Sequence, residues 1–163
     1  MPLFPERKTF ALAATVATLL AGPAVAQAAA PVTITDAWLR PAPAGMSMTS
    51  GYLTLRNTSA QPVRLRAAAT PLARSVTLHR SVVAGGVARM EALSDGLVIP
   101  PGGSAVFKPG GNHMMLEGLS HPLKVGDKLS VTLSFDGQPA TTAVFEVRAS
   151  APDGAMPAGM KMR

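Results

Sequence analysis

Two histidine–methionine pairs carry the chemistry that this sequence can offer. His79 and Met90 flank the dipeptide Gly85-Gly86, and His113 and Met115 stand two residues apart just after Gly110-Gly111. The 163 residues include three histidines, nine methionines and no cysteine. Imidazole and thioether are neutral donors, and together they suit a soft monovalent ion, Cu(I) above all. Without cysteine there is no thiolate, which excludes an electron-transfer blue-copper centre as well as a disulfide framework. The acidic residues Asp36, Glu91, Asp95, Glu117, Asp127 and Asp136 show no paired spacing suited to acid–base work. No nucleophile elbow, P-loop or HExxH segment occurs, so the chain is not expected to be an enzyme.

Strand parity decides which of these side chains can meet. RSVTLHRSVV (74–83) and GVARMEAL (86–93) around Ala84-Gly85-Gly86 predict a β-hairpin. A Gly85-Gly86 turn sets His79 opposite Ala92 and Met90 opposite Ser81, which makes His79 and Met90 diagonal neighbours on one face. An Ala84-Gly85 turn sets His79 directly opposite Met90. A three-residue loop with a bulge would shift the parity and separate them. In HMMLEGL (113–119), His113 and Met115 share one side of a strand and Met114 takes the other, as a core residue. The predicted metal site is therefore His79, Met90, His113 and Met115.

The elements that must position these residues read as short alternating segments broken by Pro and Gly. PVTITDAWLR (31–40), GYLTLRN (51–57), PVRLRAAA (62–69), the hairpin, LVIPPGG (97–103), SAVFKPGG (104–111), HMMLEGL, KLSVTLSFDG (128–137) and ATTAVFEVRAS (140–150) give some eight or nine strands. PAPAGMSMTS (41–50) reads as a loop, and no segment keeps a helical apolar period. The fold class is all-β, an antiparallel sandwich or Greek-key barrel with little helix. Residues 1–26, with Arg7 and Lys8 before FALAATVATLLAG and an Ala24-Val25-Ala26 cleavage pattern, read as a signal peptide. Residues 31–150 form the expected domain, and 151–163, with Met156, Met160 and Met162, a flexible tail. No second long apolar run exists, so stable membrane insertion is not expected. Without Glu6, Arg7 and Lys8 the charges are 13 basic to 8 acidic, scattered and with few aromatics, which argues against nucleic acid.

The spacing of His79, Met90 and His113-Met114-Met115, with PPGGSAVFKPGGNHMMLEGL, GYLTLRN and DAWLRPAPAG, resembles the periplasmic copper chaperones of the PCu(A)C family (DUF461). The resemblance runs over residues 31–150. It implies a cupredoxin-like β-sandwich, one Cu(I) held by His79, Met90, His113 and Met115, and copper delivery to cytochrome c oxidase. The implied partner is an oxidase subunit or a second copper chaperone, and the expected state is a periplasmic monomer. One departure is Arg80, where the family often has Met.

Other features carry less. His121, before Pro122, reads as a solvated surface residue. Met46 and Met48 read as ordinary loop and core residues in preference to a second copper-capturing pair. The tail methionines offer weaker additional copper binding. The rival readings are a copper storage or resistance protein and a metal-free extracellular interaction domain.

Overall fold

The computed structural model describes residues 31–150. The expected signal peptide and the methionine tail lie outside these residues. Ten strands follow one another: β1 (Val32–Leu39), β2 (Met48–Asn57), β3 (Val63–Ala69), β4 (Ala73–Ala84), β5 (Val87–Ala92), β6 (Leu97–Ile99), β7 (Ser104–Phe107), β8 (Asn112–Leu119), β9 (Lys128–Phe135) and β10 (Thr141–Val147). They form one hydrogen-bonded sheet in the order β5-β4-β8-β7-β2-β1-β10-β9-β3-β6, with β8 also pairing β2. The expected all-β class holds. The pairing is not purely antiparallel, because β1 runs parallel to β10 and β7 parallel to β8.

The sheet folds over a single apolar core. Leu53, Leu55, Leu78, Met114 and Leu116 come from the β2–β4–β8 half, and Leu129, Val131, Leu133 and Phe145 from the β9–β10 half. Burial alternates along β9 from Leu129 to Phe135, as a strand with one solvated face requires. Gly51 on β2 leaves room for core side chains of β1 and β8: a Cβ there would meet Leu39 Cδ2 at 2.9 Å and Met114 Cε at 3.3 Å.

Strand β1 departs from simple alternation. Asp36 has φ 54° and sits in a register break between Thr35 and Trp38. A bulge of this kind inserts one residue and reverses which side chains face inward. Val32 is buried before the break and Leu39 after it. Trp38 is thereby turned away from the main core cluster, and its ring, still buried, packs on Tyr52 at 4.6 Å between centroids.

The β4–β5 arm leaves the core behind. All six residues of β5 are exposed. Gly85 and Gly86 both have positive φ, 59° and 79°, which is what a two-residue primed turn demands. The hairpin therefore takes the Gly85-Gly86 alternative, with Ala84 opposite Val87.

Candidate metal site

The register of the arm puts Met90 opposite Ser81 and His79 opposite Ala92. On the other side of β4, His79 lies directly opposite His113 of β8, and Thr77 opposite Met115. Because strand positions two apart share a face, His79, Met90, His113 and Met115 all project from one face. The neighbours in between confirm which face. Leu78, Met114 and Leu116 point into the core, with Met114 fully buried. The four side chains thus stand on the solvent side of β5–β4–β8.

The two imidazoles are the centre of the arrangement. Their ring centroids are 5.7 Å apart and the planes are inclined by 25°. Metal–imidazole bonds are roughly 2 Å long and lie in the plane of the ring, so an ion shared by the two would sit beyond their nitrogen edges and not between their faces. The thioethers approach from opposite ends. Met90 is displaced from the histidine pair towards the hairpin tip and Met115 towards the base of the arm, about 13 Å apart along the strand direction by strand rise. Both methionines have long, unbranched side chains able to lean inward over the rings.

The four positions differ in how firmly they are held. His113 is buried, and its Nδ1 lies 3.1 Å from the Gly111 carbonyl oxygen. A carbonyl only accepts, so Nδ1 donates here, which in the neutral ring leaves the Nε2 lone pair for a metal. The same Gly111 carbonyl accepts the Ser81 amide at 3.1 Å, tying the entry of β8 to the arm. Gly110, at φ 77°, makes the tight turn that allows this. His79 is half-buried, with Nδ1 3.4 Å from Thr77 Oγ1. Met115 is half-buried. Met90 is 60% exposed, on a strand that among the described residues pairs with β4 alone.

Arg80 lies on the opposite side of the strand from His79, and its Nε donates to Asn112 Oδ1 at 3.2 Å. The position that departs from the familiar motif therefore does not face the four. His121 is exposed, as expected, with Nδ1 3.3 Å from the Pro122 carbonyl. Among the described residues, no three His, Cys, Asp or Glu side chains gather. The two imidazoles and two thioethers that share a face are soft, neutral donors.

Met46 stays in the expected loop, but Met48 corrects the expectation. Neither belongs to the core: they are 55% and 41% exposed, and Met48 begins β2 instead of ending a loop. Met48 pairs with Glu117 and Ser50 with Met115, so Met48 shares the face of the four and is a diagonal neighbour of Met115. Their placement depends on which non-consecutive strands adjoin, and local sequence spacing does not carry that.

Comparison with known proteins agrees with the family resemblance. Residues 32–147 match the family described as "Putative lipoprotein LpqE-like". The chain is 37% identical over 114 residues to "Putative lipoprotein Lxx21020" of Leifsonia xyli subsp. xyli, spanning 69% of this chain and 68% of that one. Among solved structures it is similar to the Cu(I) form of DR1885 from Deinococcus radiodurans. The two are 36% identical, with 77% of this chain and 83% of that one covered and a TM-score of 0.61. It is also similar to the copper-bound PCuAC domain of PmoF2, at 28% identity, 74% and 94% coverage and a TM-score of 0.62. With its cupredoxin-like sandwich, its paired His and Met positions and a family match across nearly all the described residues, the chain belongs to the PCu(A)C (LpqE-like) family.

Proposed function

We propose that this protein is an exported copper carrier. It binds one Cu(I) through His79, Met90, His113 and Met115 and passes it by ligand exchange to an acceptor, such as a cytochrome c oxidase copper centre or a second chaperone. The observation that carries the reading is the opposition of His79 and His113 across β4 and β8, with a methionine on the same face towards either end. Four neutral ligands leave the ion's single charge uncompensated, which favours a soft monovalent ion and keeps it exchangeable. A solvent-facing site lets an acceptor's ligands enter before the donor's leave. Thioethers also suit an oxidising compartment, where thiols would be consumed as disulfides. In this reading residues 1–26 direct export to the periplasm and are removed. Two similar solved proteins hold copper, which supports the choice of metal.

An anaerobic Cu(I) titration followed by X-ray absorption at the copper edge tests the proposal. One ion per chain, with both nitrogen and sulfur neighbours, is expected. A double variant Met90→Ala, Met115→Ala should lose the sulfur shell and most of the affinity. Unchanged affinity in that variant would refute the ligand set.

A further inference from the structure

Five methionines fall within the described residues, and Met114 alone among them is core. A thioether side chain in a β domain normally fills a gap in the interior. Here Met46 and Met48 stand in solvent beside Met115. With Arg40, Pro41, Pro43, Thr49 and Ser50, these three line a shallow recess of about 190 Å³. The recess adjoins the His/Met group through Met115, which belongs to both.

The position of the two extra thioethers is built into the backbone. The Met46 amide donates to the Pro43 carbonyl at 3.0 Å, closing a turn that presents Met46 to the recess. The Leu119 amide donates to the Ser47 carbonyl at 2.9 Å, and Thr49 Oγ1 donates to the Arg40 carbonyl at 2.7 Å. Strand pairing with β8 then sets Met48 against Glu117. Met46 and Met48 thus flank Met115 from a segment anchored at both ends.

Charges of both signs lie near the recess. The Arg40 guanidinium packs over the Tyr52 ring, 5.8 Å from its centroid, which gives it a partner of its own. The Glu117 carboxylate lies on β8 across from Met48 and accepts from Ser75 Oγ at 3.3 Å.

We propose that Met46, Met48 and Met115 form a second, thioether-only site for a soft monovalent ion of the Cu(I) or Ag(I) class, sharing Met115 with the His/Met site. The sharing gives the second site its role. An ion bound by Met46 and Met48 enters or leaves the imidazole pair through Met115, one ligand at a time, without being released to solvent. With three neutral thioethers and no imidazole, the site binds more weakly than its neighbour and has little affinity for hard dications. The inference rests on the copper-carrier reading above for the adjoining site.

The test uses the full chain labelled at the methionine methyl carbons and titrated with Ag(I), a redox-inert probe of the same class. In the first equivalent, the Met90 and Met115 methyls and the His79 and His113 ring signals should shift. In the second equivalent, the Met46 and Met48 methyls should shift and Met115 should move again, with an affinity at least tenfold weaker. A Met46→Leu, Met48→Leu variant keeps side-chain volume. It should lose the Met115 response in the second step and keep the whole first step. Met46 and Met48 methyls that stay still through two equivalents, while the first step proceeds normally, would overturn the second site and leave the carrier reading standing. Met46 and Met48 shifts that persist unchanged in Met115→Leu would overturn the shared ligand. Absence of the first step would instead count against the carrier reading itself.

Discussion

Met114 and Met115 are neighbours in the chain with opposite surroundings, and substituting each separates packing from ligation. Met114 is fully buried among Gly51, Leu39 and Leu116. Truncating it to Ala removes a core side chain and leaves a cavity, a change that costs about 2–5 kcal/mol. For a domain the size of residues 31–150 the unfolding entropy is roughly 0.25 kcal/mol/K. A loss of about 3 kcal/mol therefore lowers Tm by roughly 12 °C. Met115 is half-buried on the outer face, so Met115→Ala should cost about 1 kcal/mol or less and shift the apo Tm by no more than about 4 °C. Copper inverts the ranking. Free Cu(I) at a thousand times Kd stabilises the native state by about 4.1 kcal/mol, or roughly 16 °C on the same scale. Met114→Ala should keep this increment on a lowered baseline, and Met115→Ala should lose most of it on a nearly normal one. Differential scanning calorimetry with and without Cu(I), under anaerobic buffer, reads all four values. A Met115→Ala protein that keeps the full increment, or a folded Met114→Ala protein that loses it, would show that strand parity does not divide the two roles.

Two further changes probe the arm and the fold. Gly86→Val forces a β-branched residue to φ 79°, at a cost of about 1–2 kcal/mol in the hairpin. The expected result is faster hydrogen exchange at Arg89 to Glu91 and Cu(I) binding weakened about tenfold, measured by competition with a chromophoric chelator. Arg148 donates to Glu146 at 2.7 Å, and this hydrogen bond, then the Arg148 charge, holds the Glu146 carboxyl below its ordinary value. A depressed carboxylate stabilises the fold above its unfolded pKa, and that contribution disappears as pH falls through the folded value. Both groups are exposed, so the effect on stability is small. Arg148→Ala should raise the Glu146 titration midpoint in a carboxyl ¹³C experiment, and an unmoved midpoint would exclude the pair.

The histidine–methionine pairs were legible because ligand type and two-residue periodicity are local properties. His113 and Met115 share a face in any strand, and Gly85-Gly86 favours the primed turn that aligns Met90 with His79. The opposition of His79 and His113 was not legible, since β4 and β8 are four strands apart in sequence and their adjacency is a property of the assembled sheet. The same blindness left Met48 assigned to a loop, although pairing with β8 makes it a strand residue beside Met115. Asp36 escaped for a different reason. PVTITDAWLR alternates well enough to look uniform, and only the backbone reveals the extra residue that turns Trp38 away from the main core cluster.

The exposed strand that carries Met90 has a kinetic consequence. Three of the four proposed donors come from strands paired on both edges, while the fourth rides on the sheet's outermost strand, with no buried residue in it. Local opening free energy is least where buried contacts are fewest. For a copper ion held by these four residues, dissociation then has a fixed order: the Met90 thioether leaves first as the strand frays, and an acceptor's ligand takes the vacated coordination position. If the protein is the carrier proposed above, the frequency of that fraying, rather than the strength of the imidazole bonds, should set how fast the ion changes hands.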